Sequence, residues 1–370
     1  MTYTLAKNYG NTNFVTGMRA FAALAVIMIH TGGAGFRELG EVGKNFANFG
    51  AAGVFVFFVI SGFSVALSYE ASSSYRSYLN KRLWRIAPLY YFWLGVSILL
   101  GTTSLYWQQQ FSAPVDIYNI AMHLTFLSFL DFRIASTIIG VEWSIPIEVF
   151  WYLAVPLMMR LSGSTKQLAA LIAISLIVHV ISARATVLFP FLGENAPIAI
   201  QWSPVPYVFC YALGIAVYRA RTYIRHSDAI GNWAFVISAT LILAYMCAPR
   251  VFAKIFFDEL VFTSLVTAVL LLFGSAKSGM FTLVFGNRVI QFLGIVSYGL
   301  YLAHMPLLDL LTRYDGFLMQ NPTLKFLLVS LCATVVSAIT YYAFEQRLVA
   351  LGKNIARRLS SCALQSGIQS

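Results

Sequence analysis

The stretch Arg19–His30 reads RAFAALAVIMIH, ten apolar residues in a row between a guanidinium and an imidazole. A run of that kind belongs in a bilayer or a deep core, where ionisable groups at its ends are costly and call for partners. At ~100° per residue the eleven steps from Arg19 to His30 make three turns plus about 20°, which puts both side chains on one face of a helix, ~16 Å apart along its axis.

The rest of the chain agrees with a membrane setting. Of 370 residues, 59% are hydrophobic and 11% charged, and the mean hydropathy is +0.74. A soluble domain is roughly 45–50% apolar and about 25% charged. The expected fold is therefore all-α, a polytopic bundle whose backbone polar groups are satisfied inside helices. Ten apolar segments can be drawn, at 14–31, 50–69, 84–101, 144–160, 167–183, 203–218, 232–249, 259–274, 289–311 and 323–344. Several are shorter than the ~20 residues that span a bilayer, so their ends are loose. The organisation expected is a membrane domain over 1–345 and a short basic cytoplasmic tail over 346–370 that forms a surface helix. No further domain fits in that tail.

The net charge of +11 points to nucleic acid only when its placement is ignored. With the N-terminus inside, the inner stretches carry Lys7, Arg19, Arg76, Lys81, Arg82, Arg85, Arg160, Lys166, Arg219, Arg221, Arg225, Lys277, Arg288, Arg347, Lys353, Arg357 and Arg358, 17 of the 25 basic residues. Glu70, Asp228 and Glu345 are the only acids there, so the inside holds +14 and the outside −3. This is a positive-inside pattern with both termini cytoplasmic. It leaves no soluble basic domain to bind nucleic acid, and it makes the inner mouth attractive to a polyanion. Lys7, Arg19 and the apolar run resemble a signal peptide, but no cleavage site follows cleanly, and the segment reads as a retained helix. Cys210, Cys247, Cys332 and Cys362 are too scattered for a disulfide framework or a metal motif.

Two outer connections are long. Residues 102–143 are aromatic and only moderately polar, and 117–130 (IYNIAMHLTFLSFL) reads as a re-entrant or interfacial helix; 184–202 holds FPFLGENAP.

Polar residues inside the apolar segments fall into two layers. Arg19, Arg82 and Arg85 lie inward. In KRLWRIAPLYYFW the two arginines at i, i+3 share a face, as interfacial anchors beside aromatic residues or as a phosphate clamp. His30, Glu148 and His304 lie outward at similar depth. Arg19 alone reads equally well as a snorkelling topology residue and His30 as an interface marker. Glu148, four residues after Ser144 in VEWSIPIEVFWY, is a rare membrane carboxylate, held either in a functional site or in a structural pair. In SYGLYLAHMPLL, Ser297, Tyr301 and His304 line one stripe, and His304 reads as structural or functional. Glu142 is expected nearer water, as a loop residue. His123, His179 and His226 have no comparable companions and read as structural. No metal-ligand spacing, phosphate-binding glycine loop or G-x-S-x-G elbow is found.

Taken together, the Arg19–ten–His30 pair, FFVISGF at Phe57–Phe63, RLWR at Arg82–Arg85, WSIPIEVFWY at Trp143–Tyr152 and SYGLYLAHMPL at Ser297–Leu307 resemble the acyltransferase 3 family of integral membrane acyltransferases. The resemblance implies a ten-helix core in the cell inner membrane. It implies transfer of an acyl group, usually acetyl, from cytoplasmic acyl-CoA to a hydroxyl. The acceptor is most often a sugar of a surface polysaccharide, O-antigen or lipid-linked glycan, and in some members a macrolide sugar. The family's active residues carry over to Arg19, His30, Arg82 and Arg85, and its tryptophan–serine–glutamate pattern to Trp143, Ser144 and Glu148. The expected roles are His30, Arg19 and Glu148 in catalysis, and Arg82, Arg85 and Arg19 on acetyl-CoA or another acyl-CoA. Trp143, Ser144, Tyr301 and His304 are expected on the substrates, with Trp143, Tyr301 or His304 as the oxyanion donor. Glu148 is expected to orient the His30 imidazole or to hold the acceptor hydroxyl. No metal is expected. A transporter of polysaccharide or lipid-linked sugar is the other reading of polar residues inside helices.

Overall fold

The computed structural model describes residues 13–224, 226–275, 277–313 and 320–365, without the side chains of Ala185 and 358–365. Lys7, Arg225 and the Arg358 and Cys362 side chains lie outside what it describes. Among the described residues there is no strand. The helices are α1 (Asn13–His30), α2 (Gly40–Asn48), α3 (Gly53–Glu70), α4 (Tyr75–Leu99), α5 (Leu105–Phe111), α6 (Ile117–Leu124), α7 (Ser144–Arg160) and α8 (Thr165–Ser182). They continue as α9 (Ala196–Gln201), α10 (Val208–Arg221), α11 (Asp228–Cys247), α12 (Pro249–Phe256), α13 (Glu259–Phe273) and α14 (Gly279–Phe285). The last are α15 (Arg288–Ile295), α16 (Ser297–Thr312), α17 (Pro322–Thr340) and α18 (Gln346–Gln365).

Local chemistry sets many of the starts. The side chains of Ser74, Asp116, Ser164, Ser227, Asp258, Asn287 and Asn321 each accept the backbone N–H three residues on, capping α4, α6, α8, α11, α13, α15 and α17. Each cap satisfies one of the N–H groups that a helix start leaves without a partner.

The centre of the bundle is α1, α3, α7, α10 and α16. Gly62 and Gly214 let α3 and α10 cross with their backbones almost touching: a Cβ on Gly214 would lie 2.3 Å from the Val59 carbonyl oxygen, and one on Gly62 2.7 Å from that of Tyr211. The periphery is apolar outward. On α17, Leu327, Leu331, Val335 and Ile339 are each at least half exposed, while Val329, Ala333, Ser337 and Thr340 are buried on the opposite side. Ile174, Ile177 and Ile181 expose a similar stripe on α8. Contiguous apolar surface of this kind is a liability in water and is what a lipid-facing helix presents.

All ten apolar segments are helical. Among the described residues, five helical spans are long and apolar enough to cross a membrane, and eight when each of three bent pairs is taken as one. Of the other expected spans, α4 carries Arg76, Lys81, Arg82 and Arg85 in its first half, and α7 has only 17 residues. The ninth segment, drawn as one helix, is two: α15 and α16 meet at 71°. α15 is held flat on α1, since a Cβ on Gly294 would lie 1.9 Å from the Thr16 carbonyl oxygen. Val296 leaves helical geometry, and α16 then enters the bundle. The eighth is likewise preceded by α12 at 80°, with Phe257 in the left-handed region at the corner. Residues 346–365 form α18, which packs along α4: the Asn80 amide donates to the Gly352 carbonyl at 2.6 Å, and Gly352 abuts Trp84.

The 102–143 connection is folded rather than draped. Within the stretch read as re-entrant or interfacial, α6 exposes Ile117 and Tyr118 and buries Asn119 and His123. Residues 134–142 are then buried without interruption. Glu142, expected near water, is fully buried. Its carboxylate accepts the backbone N–H groups of Ile138 and Gly140, both at 2.6 Å, and those bonds make its burial tolerable.

Candidate active site

A cavity with about 750 Å³ of empty space, open solvent at its mouth included, lies among α1, α3, α4, α7 and α16. Arg19 enters it from α1, Arg85 from α4, Glu148 and Ser144 from α7, and Ser297 and Tyr301 from α16. A fourth charge, Glu345, comes from the wide π-turn Tyr341–Glu345 that ends α17. Such turns insert an extra residue per turn and recur at functional sites. Among the described residues no two of these four charges pair within ion-pair distance. Glu148 instead accepts from Ser61 at 2.7 Å and Tyr152 at 2.6 Å. The Arg19 Nε is buried with no hydrogen-bond partner among the described residues.

The arginine pair is split. Arg85 is exposed on the cavity, whereas Arg82 is buried and does not line it. The Arg82 guanidinium donates to the Ser64 carbonyl of α3 and lies 5.6 Å from the centre of the Tyr152 ring. Residues at i, i+3 diverge by about 60° around a helix, enough here for one to face α3 and the other the cavity.

The two outer histidines, 274 positions apart, meet: His30 Nδ1 lies 3.0 Å from His304 Nε2, and the rings stack with centroids 5.1 Å apart. His30 is exposed at the end of α1, and His304 is fully buried. His304 Nδ1 is 2.7 Å from the Tyr301 carbonyl oxygen and 3.3 Å from that of Leu300. The Tyr301 hydroxyl donates to the Val141 carbonyl at 2.7 Å and shares a 2.8 Å bond with Ser144. A hydroxyl has one proton, so Ser144 is the donor in that second bond.

Neither His30 nor His304 lines the cavity. Tyr301 lines the cavity beside Phe57, ring centroids 6.2 Å apart, and its ring centroid lies 6.0 Å from that of His304. Glu148 bonds neither histidine. It shares the cavity with Arg19 and Arg85, and its bonded partners are Ser61 and Tyr152, not His30. The buried 134–142 segment leads into α7, whose first residue, Ser144, is buried. Ser144 meets Tyr301, and Glu148 follows one turn later on α7. Trp143 packs against Tyr207 with ring centroids 5.9 Å apart and does not line the cavity.

Glu345 was read only as a charge before the tail; no periodicity in the sequence announces a π-turn. Two histidines read as lacking companions have acidic ones: His123 Nε2 lies 3.6 Å from Glu142, and His179 bonds Asp258 at 2.7 Å and the Pro206 carbonyl at 3.0 Å. Both acids sit in connections between helices, where spacing rules do not reach.

The apolar helices mark a multi-pass membrane protein, with a charged cavity and a histidine pair of which His304 is buried and His30 exposed. The acyltransferase domain model of the acyltransferase 3 family matches residues 12–342, and the chain belongs to that family. It is 27% identical over 318 residues to a protein of Acidianus two-tailed virus named as an acetyltransferase, covering 83% of this chain and 86% of that one. It is 24% identical over 358 residues to a Bacillus subtilis protein named as a peptidoglycan O-acetyltransferase, covering 90% of this chain and 54% of that one, so the chain spans about half the length of that relative. Nodulation protein 10 of Rhizobium leguminosarum bv. viciae is 30% identical over 136 residues, covering 34% of this chain and 37% of that one. No solved structure matches.

Proposed function

We propose that the protein is an inner-membrane O-acetyltransferase that takes an acetyl group from cytoplasmic acetyl-CoA and passes it to a sugar hydroxyl of a surface or exported glycan. In this reading the ten helical segments all span, and both termini lie on the side from which the donor enters. The observation that carries it is the cavity in which Arg85 and Arg19 have no carboxylate within ion-pair distance, separated by the Tyr301 side chain from His30 and His304. The residues fit a polyphosphate donor with a slender arm. Arg85 would take a phosphate, since a guanidinium fork matches its oxygens, and the arm would run past Arg19 toward Ser144. Arg82 would hold α4 against α3. Ser144 and Tyr301 then serve the donor, and the acceptor hydroxyl approaches exposed His30.

His30 takes the proton of that hydroxyl as its oxygen attacks the thioester carbonyl. The tetrahedral intermediate collapses with cleavage of the carbon–sulfur bond. The CoA thiolate receives the proton, so the products are the sugar ester and CoA thiol. For the thioester to meet His30, Tyr301 must leave its bonds to Ser144 and Val141.

The test is acetyl transfer from labelled acetyl-CoA by the purified protein in nanodiscs, with mass spectrometry of surface glycans from cells with and without it. A gain of one acetyl mass per modified sugar and saturable CoA stabilisation are expected. Glycan export without CoA binding or any mass change would overturn the proposal in favour of a transporter.

A further inference from the structure

We infer that His304 is a positioning residue that fixes the proton of His30 on Nδ1 and leaves its Nε2 as the reactive lone pair. The inference rests on the reading of His30 as the group that meets the acceptor hydroxyl, and it assigns His304 away from substrate.

The two groups facing His304 Nδ1 are the carbonyl oxygens of Tyr301 and Leu300, at 2.7 and 3.3 Å. Carbonyls only accept, so Nδ1 carries a hydrogen. A neutral imidazole has one N–H, so His304 Nε2 is a lone pair. That lone pair faces His30 Nδ1 at 3.0 Å. His30 Nδ1 must then be the donor, and His30 Nε2 is left without a hydrogen. The Val26 carbonyl of α1 also accepts from the His30 ring and, as an acceptor, favours a hydrogen on the nitrogen it meets; His30 is exposed.

A free neutral histidine side chain favours its hydrogen on Nε2, the wrong nitrogen for a base at that position. The partner of one ring nitrogen decides which form the other takes. In hydrolase triads a carboxylate does this, and it also steadies the imidazolium that forms. Here a second imidazole does it. When His30 Nε2 takes a proton, the charge is shared along Nδ1–H to His304, whose own N–H points at two carbonyl oxygens. His304 is full on both nitrogens and has no hydrogen to give an oxyanion, unlike the role expected for it from sequence.

The test is ¹⁵N-histidine NMR of the full chain in bilayers, with His30 signals assigned by their loss in His30→Gln. Expected are a protonated Nδ1 and a bare Nε2 on His30 in the wild type. The same form should persist in His304→Gln, whose amide oxygen still accepts. It should switch to Nε2–H in His304→Phe, which has no acceptor. Nε2–H in the wild type, or Nδ1–H persisting in His304→Phe, would overturn the inference. Should His304→Phe fail to fold, the wild-type and His304→Gln spectra still decide it. In acyl transfer, His304→Phe should lose kcat on the order of 10⁴-fold, as a wrong tautomer does in a triad, with the KM for acetyl-CoA unchanged and most of the rate kept in His304→Gln. Absence of transfer in a wild type with the expected tautomers would count against the proposed activity alone.

Discussion

The Tyr301 hydroxyl lies 2.8 Å from the Ser144 hydroxyl, and the Val141 carbonyl accepts its hydrogen at 2.7 Å. These two bonds hold the ring between the charged cavity and the histidine pair. Tyr301→Phe keeps the ring and removes both, each worth about 0.5–1.5 kcal/mol net. Displacement of the ring then becomes more frequent. Donor affinity should stay as in the wild type and turnover should rise severalfold, read as labelled acetyl transferred per minute. A fall of more than tenfold at unchanged affinity would instead make the hydroxyl part of the chemistry.

Arg82 and Arg85 are three residues apart and should fail differently. Arg85 faces the cavity, and a charged hydrogen bond is worth about 1.5–3 kcal/mol, so Arg85→Ala should weaken CoA binding roughly ten- to a hundredfold at unchanged thermal stability. Arg82 is buried against Ser64 and the Tyr152 ring. Arg82→Ala should lower the unfolding midpoint first, and Arg82→Lys should not restore it, because an ammonium lacks the planar fork and its stacking. Equal loss of CoA affinity in both alanine variants, with stability intact, would restore the two-arginine clamp.

Glu345 shares the cavity with Arg85. Its carboxylate lowers the positive potential that an anionic donor would meet. Glu345→Gln removes the charge and keeps the shape, so CoA should bind severalfold tighter, with the gain shrinking as salt is raised. Weaker binding in that variant would mean that Glu345 contacts the donor through a hydrogen bond that only the carboxylate makes.

Much of this was legible in the residue order. The one-face geometry of Arg19 and His30 and the helical nature of all ten apolar segments follow from periodicity and composition. The part that periodicity cannot carry is how the connections fold. The segment drawn at 144–160 is α7, but the burial of 134–142 ahead of it has no counterpart in the sequence pattern. That burial depends on a carboxylate accepting backbone N–H groups within a loop, a local arrangement with no repeat to reveal it. The split of Arg82 from Arg85 depends on which neighbouring helix each meets, and the His30–His304 contact on the packing of segments 274 positions apart.

Glu142 therefore carries more of the site than its loop position suggests. Its carboxylate accepts from Ile138 and Gly140 at 2.6 Å each and shapes the turn that presents the Val141 carbonyl to Tyr301. Gly140 in that turn has φ +101°, where other residues are strained. Glu142→Gln keeps the size but offers one acceptor oxygen in place of two. One buried N–H then loses its partner, at about 1–3 kcal/mol. The unfolding midpoint should fall, and protease cleavage within 125–143 should quicken. Because Val141 also anchors Tyr301, the same variant should leak: acetyl-CoA hydrolysis without acceptor should rise above the wild-type level. A midpoint and hydrolysis rate both equal to the wild type would show that the turn stands without the carboxylate, and the link from Glu142 through Val141 to Tyr301 would fall.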